Sequence, residues 1–397
     1  MKKNYSSIRL EITSKCNLKC EYCHNSEFSN RKDDMKTEEI LELITKLKEI
    51  YPINKILLTG GEPLINKDLY MIIKFISDLG IKADMVTNGT LLNQDVIKKL
   101  EKAGLKRIRL SIDELGGVSQ LRSNTNPEKI WDMAKLIADI SNIEVCIHTV
   151  CSPSNVMNLP LVYKKVLEVG AKRWRVFDLG YQGGIENNKA SFNFDMYYDS
   201  IIEATKEILT HYISNNLKDV LDIEINNIFR TMMLGVEYSE FNVNEELKKR
   251  LLLSPCNYVT DHQLTIRSNG KATICQYFRN TIFDFKRHGY IDVADAMCNE
   301  KFTYENNLKM EDLKYCSSCK YCLVCNSGCR SRANFITGDL KEPDPTACYL
   351  TSRICNEIIP ILPLDVQKVY NSFIIKTANS PKYTRESLLE LLHKRGY

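Results

Sequence analysis

The sequence predicts an α/β protein in which strands and helices alternate, followed by a small cysteine-rich domain. Three observations predict it. Six short, β-branched apolar runs recur between residues 8 and 178, with segments of helical period between them. Chemistry-bearing residues gather just beyond the ends of these runs. Cysteines are absent from residues 24–145, yet five fall within residues 316–329.

The strands are predicted at 8–13, 55–59, 83–87, 107–112, 144–150 and 173–178. Helices are predicted at 38–50, 69–79, 93–103, 127–140 and 159–169. In the first of these Ile40, Leu41, Ile44 and Leu47 share one face, and Thr37 is the expected N-cap. Such alternation implies a parallel sheet with helices outside, and a ligand site at the carboxyl ends of the strands. A partial (β/α)6 barrel and a doubly wound sheet both fit the alternation. Residues 192–249 read as long amphipathic helix broken near Asn226, without strand alternation. A terminal helix is predicted at 385–394, as a surface helix that packs. The expected domains are 1–215, a helical connector at 216–254, a cysteine-rich domain at 255–355 and a helical tail at 356–397.

Cys16, Cys20 and Cys23, in the order C-x3-C-x2-C, follow the first strand, and Thr59-Gly60-Gly61-Glu62-Pro63 ends the second. Three thiolates can hold three irons of a cubic [4Fe-4S] cluster and leave the fourth open to a chelating molecule. The glycines let backbone approach closely, Glu62 offers a carboxylate, and Pro63 stiffens the exit. Taken alone, the cysteine triplet also suits part of a zinc site or a buried cysteine cluster.

With Tyr22 as the aromatic of C-x3-C-x-aromatic-C, the chain resembles the radical S-adenosylmethionine (SAM) enzymes. That resemblance implies the partial barrel, a cluster on Cys16, Cys20 and Cys23, and SAM bound at its open iron. One electron then cleaves SAM to a 5'-deoxyadenosyl radical that takes hydrogen from a substrate. It also implies that the turn Gly60, Gly61, Glu62 contacts the SAM amino group. Ser111 and Arg122 match, in order, a serine and an arginine that touch the SAM ribose and carboxylate in the sulfatase-maturating branch. Leu179 takes the place of an adenine contact.

Beyond Pro255 the pattern is Cys256, Gly270-x4-Cys275, Cys316-x2-Cys319-x5-Cys325-x3-Cys329 and Cys348. It resembles the SPASM domain, which holds two auxiliary [4Fe-4S] clusters. The resemblance assigns Cys256, Cys275 and Cys329 to one, and Cys316, Cys319, Cys325 and Cys348 to the other. The first is one ligand short, with Asp261 or His262 or an open iron to complete it. Structural zinc is the rival for these C-x2-C pairs. Cys146, Cys151, Cys298, Cys322 and Cys355 are surplus, and Cys322 is a candidate hydrogen-atom donor. Gln276 stands where sulfatase-maturating enzymes carry an aspartate base, which argues against formylglycine formation.

With 397 residues, 44% hydrophobic and 26% charged, the chain is long enough for a large and a smaller domain. It has no apolar run of membrane-spanning length, and Met1-Lys2-Lys3-Asn4 lacks the features of a signal peptide. A cytoplasmic protein without a membrane partner is expected. A net charge of +4 demands no nucleic acid. Fifteen cysteines in a reducing compartment point to metal or cluster binding rather than disulfides. SPASM relatives commonly modify ribosomally made peptides, so the expected substrate is a precursor peptide. A small molecule or cofactor precursor is the second reading, and a non-catalytic iron-sulfur carrier the third. No flavin or nicotinamide motif is evident, so a flavodoxin or ferredoxin reductant is expected. Because the first strand begins at Ile8, a separate recognition protein or the SPASM domain itself would bind the peptide.

Overall fold

Strand β1, Ser7–Glu11, sets Ile8 and Leu10 on one face and Arg9 and Glu11 on the other, as a two-residue period requires. The computed structural model describes residues 6–119, 121–123, 125–189, 192–225, 228–230, 263–273, 275–279, 281–289, 310–376 and 378–397. The chain divides into two units. One comprises Met1–His148, Val166–Lys172 and Asp261–Asn306; the other comprises Thr149–Lys165, Arg173–Thr260 and Asn307–Tyr397.

In the first unit β1 pairs in parallel with β2, Lys55–Thr59, and β2 with β3, Lys82–Thr87. Then β3 pairs with β4, Leu105–Ser111, and β4 with β5, Glu144–Cys151, over the residues up to His148. Spatial order follows chain order without the reversal of a doubly wound sheet, which removes that alternative here. On the other side of β1 lies β9, Gln263–Ile266, also parallel, followed antiparallel by β10, Lys271–Thr273, and β11, Phe283–Asp284.

Helices sit between the strands because their ends are capped and one face of each is apolar. Helix α1, Thr37–Ile50, buries Ile40, Leu43, Ile44 and Leu47. Its N-cap is Lys36 rather than the expected Thr37, whose hydroxyl instead donates to Asp68 at 2.6 Å. Helix α2, Leu69–Asp78, buries four large aliphatic residues. Helix α3, Gln94–Ala103, starts at Asn93, whose side chain accepts the Val96 N–H, and stops at Gly104 with φ +99°. Helix α4, Pro127–Ile140, starts at Asn126 with Pro127 in its first turn.

In the second unit β6, Arg173–Asp178, pairs in parallel with β7, Asp222–Ile225, and β7 antiparallel with β8, Phe229–Arg230. This corrects the helical reading of that stretch. Ile223 and Ile225 are fully buried while Asp222 and Glu224 pair with Arg173 and Arg175 at 3.0 and 2.5 Å. The two-residue alternation in a four-residue strand is too short to stand out against the helical period of Tyr197–Ser214 before it. The helix predicted at the C-terminus forms at Arg385–Lys394 and buries Leu388, Leu389 and Leu392. Among the described residues no helix is long and apolar enough to cross a membrane.

Candidate active site

Cys16, Cys20 and Cys23 are free, half-buried thiols on the loop that leaves β1. Short turns shape that loop: the Cys23 N–H donates to the Cys20 carbonyl at 3.2 Å and the Ser26 N–H to that of Cys23 at 3.1 Å. The loop is tied down from three sides. Asp34 accepts the Ser14 N–H at 2.8 Å and its hydroxyl at 3.0 Å. Lys19 N–H donates to the Ser123 hydroxyl at 2.5 Å, and Glu21 N–H to the Leu121 carbonyl at 2.9 Å.

Gly60 and Gly61 hold it from the third side. The Gly61 N–H donates to the Thr13 carbonyl at 2.9 Å, and that of Glu62 to the Lys15 carbonyl at 2.7 Å. A Cβ at Gly60 would lie 2.1 Å from the Thr13 oxygen, and one at Gly61 2.1 Å from the Lys15 oxygen. What these glycines approach is the backbone leading into Cys16. Glu62 is almost wholly buried; its carboxylate accepts from Leu64 N–H at 3.1 Å, Thr87 hydroxyl at 2.7 Å and Asn88 N–H at 2.8 Å. Burial raises its pKa above the ordinary carboxylate range, against the lowering effect of these bonds and Arg122.

Tyr22 points its hydroxyl to Asp113, just past β4, and Arg122 donates its Nε to the same carboxylate oxygen. The three side chains are buried, and the Arg122 guanidinium lies 5.7 Å from the Tyr22 ring centre. Asn88, Ser111, Asp113 and Arg122 line one cavity, so polar residues that follow β3 and end β4 converge with the expected Arg122. Asn88 also donates to Asn17 at 2.9 Å, and Asn17 to Thr90 at 2.8 Å. Burial pushes the Cys20 thiol up to about 11, with Arg122 pulling it down and Cys23, Asp113 and Cys16 adding to the rise. Burial likewise raises Cys16 and Cys23. Such thiols ionise when a metal takes the place of the proton.

A second layer beneath the loop has no sequence motif. Arg267, just after β9, donates from Nη1 to Glu11 and to Asn25, both at 2.7 Å, and from Nη2 to the Gln276 carbonyl at 2.9 Å. Asn25 in turn donates to Glu11 at 2.9 Å. The cysteine loop and the residue after Cys275 are thus fixed by one guanidinium.

In the second unit Cys316, Cys319, Cys325 and Cys348 line a single cavity, together with the surplus Cys322. Burial raises Cys316 to about 11 and Cys325 to about 12. The nearby Arg330 opposes the rise in both. Cys329 donates its N–H to Asp344 at 2.8 Å, and Asp344 also accepts from Arg332 at 2.9 Å and caps the helix Pro345–Arg353. Arg332 reaches Asp178 at 2.6 Å, so this network joins the end of β6, next to the buried Leu179, to the cysteine segment. Cys275 is buried in the first unit, and Cys256, Asp261, His262 and Cys298 lie outside the described residues. Among the described residues no three His, Cys, Asp or Glu side chains are grouped to hold one metal ion. In a cubane each thiolate binds its own iron, so four thiols spread around one cavity suit its donor set.

The family model for the Radical SAM superfamily matches residues 10–158. A probable GTP 3',8-cyclase of Methanocaldococcus jannaschii is 33% identical over 168 residues, 42% of this chain and 56% of that protein. The chain thus matches little over half of that relative's length. An AdoMet-dependent heme synthase of Methanosarcina barkeri is 26% identical over 86% of this chain and 96% of its own. A PqqA peptide cyclase of Bradyrhizobium diazoefficiens is 24% identical over 87% of this chain and 86% of its own. In fold the chain resembles anSMEcpe with bound AdoMet, with a TM-score of 0.67, 16% identity and 98% of each chain covered. It likewise resembles Streptococcus suis SuiB bound to precursor peptide SuiA, with a TM-score of 0.63, 18% identity, and 86% of this chain and 74% of that one covered. These likenesses bear out the α/β fold class with its cysteine-rich C-terminal region.

Proposed function

Because this chain belongs to the radical SAM superfamily and is similar in fold to its SPASM-type members, we propose that it modifies a ribosomally made peptide by hydrogen abstraction. The observation that carries this reading is the pairing, in one chain, of the three-thiol loop with a separate cavity lined by Cys316, Cys319, Cys325 and Cys348. The whole-chain similarity to a peptide cyclase supports the substrate class.

Cys16, Cys20 and Cys23 would hold a [4Fe-4S] cluster with one iron left for SAM. When bound, that cluster supplies the electron that cleaves SAM to methionine and a 5'-deoxyadenosyl radical. The residues of the chain do the positioning. Gly60 and Gly61 fix the backbone entering Cys16, and Asp113 fixes Tyr22 and Arg122. Asn88, Ser111 and Arg122 offer polar groups in the cavity beside the loop to orient the amino, ribose and carboxylate groups of SAM. Leu179 would serve as the adenine contact. In the cysteine-rich part, Cys316, Cys319, Cys325 and Cys348 would hold one auxiliary cluster. Cys275 and Cys329, with Cys256, would hold another. A flavodoxin or ferredoxin would deliver electrons, and a separate recognition protein or the cysteine-rich domain would present the peptide.

Action on a tetrapyrrole or another small molecule is the second reading, favoured by the heme synthase that aligns over 86% of this chain. Co-expression with candidate precursor peptides, followed by mass spectrometry, separates the two. A mass change in a peptide supports the first reading. Unmodified peptides, with 5'-deoxyadenosine still formed from SAM in the presence of a metabolite extract, overturn it. Iron and sulfide counts with and without Cys16, Cys20 and Cys23→Ala test the clusters themselves: about twelve irons should fall to about eight.

A further inference from the structure

The cavity of the second unit is lined by five thiols, those of Cys316, Cys319, Cys322, Cys325 and Cys348, whereas a cubane takes four. The surplus has a local cause. Cys316, Cys319, Cys322 and Cys325 recur at every third residue, with tight turns from Cys316 to Cys322 and a single helical turn, Cys322–Cys325, after them. Cys319 N–H donates to the Cys316 carbonyl and Cys322 N–H to that of Cys319, both at 3.1 Å, and Val324 N–H to that of Tyr321 at 3.0 Å. All four of these thiols reach the wall of the same cavity.

Three of the five lie near enough to interact with one another: Cys348 with Cys325 and Cys316, and Cys325 with Cys316. Cys319 and Cys322 each stand beside Cys316, and beside one another. Their settings match. The Cys319 sulfur is hydrogen-bonded by the backbone of Tyr321 and the Cys322 sulfur by that of Leu323. A cysteine that only filled the core would need neither the cavity wall nor such a donor.

We propose that Cys319 and Cys322 are interchangeable fourth ligands of a four-iron cluster anchored by Cys316, Cys325 and Cys348, an inference that rests on the auxiliary-cluster reading above. Exchange makes one iron–sulfur bond and breaks another. The proton of the incoming thiol passes to the outgoing thiolate, and no oxidation state changes. The released thiol stays at the cavity wall.

The test uses the full chain carrying Cys16, Cys20 and Cys23→Ala, so that the SAM-type cluster contributes no signal. Into this parent go Cys319→Ala, Cys322→Ala, the pair together, and a triple variant with Cys316→Ala, Cys325→Ala and Cys348→Ala. Iron and sulfide are counted after anaerobic reconstitution, then electron paramagnetic resonance is recorded after mild ferricyanide oxidation. Each of the single variants at 319 and 322 should keep the parent's iron and show no added three-iron signal. The pair, left with three thiols, should lose about one iron on oxidation and gain a three-iron signal of about one spin per chain. If one single variant alone gains that signal, the ligand is fixed and the proposal fails; it fails too if the pair behaves as the parent. The triple variant separates this from the reading beneath it: with only Cys319 and Cys322 left in the cavity, unchanged iron means that no cluster occupies it at all. Far-ultraviolet circular dichroism matching the parent's shows that lost iron is not lost fold.

Discussion

Arg267 and Glu11 stand 256 residues apart in sequence and meet at 2.7 Å, both almost wholly buried. The pair sits where β9 lies beside β1, and Asn25, two residues after Cys23, completes it. Arg267→Met would leave Glu11 buried without its counter-charge, which costs about 3–5 kcal/mol. A thermal midpoint lower by several degrees is expected, with iron lost more readily from the Cys16 loop. Glu11→Leu added to Arg267→Met should recover most of the midpoint, because the stranded charge is then gone. If the single variant melts with the wild type, the ion pair does not hold this corner.

Gly61→Ala tests whether the glycine pair serves the loop. Its Cβ would meet the Lys15 carbonyl oxygen at 2.1 Å, so the backbone into Cys16 must move. Gly80 makes the control, since it has φ +71° but nothing within 4 Å of a new Cβ. Gly80→Ala should cost only the left-handed strain of about 1–2 kcal/mol and keep full iron. Gly61→Ala should lose about four irons per chain on anaerobic reconstitution. Equal iron in the two variants would show that the close approach is not needed for the cluster site.

The sequence was easiest to read where a segment's own residues decide its structure. The first six strands and the helices between them lie within one or two residues of their expected ends, because burial on one face imprints a period. The cysteine loop and the Gly-Gly-Glu-Pro turn were readable for the same reason, as local motifs. Arg267, Glu11 and Asn25 were not, since an arginine after a short strand carries no sign of a carboxylate 256 positions earlier. β7 is hidden in the sequence because Asp222 and Glu224 look like the polar face of a helix until Arg173 and Arg175 lie beside them. Asp113 stands just past the end of β4, but its part in joining Tyr22 to Arg122 depends on a loop whose path the sequence does not state.

Tyr22→Phe separates positioning from cluster binding. The ring beneath the Arg122 guanidinium stays, and only the hydroxyl that donates to Asp113 is removed. Loss of a buried hydrogen bond to a charged group costs about 1.5–3 kcal/mol. Iron content should match the wild type, while SAM binding, read by equilibrium dialysis, should weaken as Arg122 loses its fixed neighbour. Lost iron instead would make Tyr22 part of the support of the cluster rather than of the SAM pocket.

Asp199 gives the second unit a dependence on acid. It lies in the helix Tyr197–Ser214 and accepts from Tyr349 at 2.5 Å, from Arg353 at 2.5 Å and from Arg385 at 2.7 Å, which draws three helices together. Burial pushes its pKa up, but the bonds from Tyr349, Arg385 and Arg353 outweigh that and hold it below the ordinary aspartate value. A carboxylate depressed in the fold contributes stability that is full above its unfolded value of about 3.9 and fades as pH falls through the folded value. Asp199→Asn should therefore melt below the wild type at pH 7, and the gap should narrow as the pH drops below about 4. Thermal unfolding followed by circular dichroism between pH 7 and pH 3 reads this directly. A gap that stays constant across that range would mean that Asp199 acts by packing and hydrogen-bond geometry, and that its charge contributes nothing.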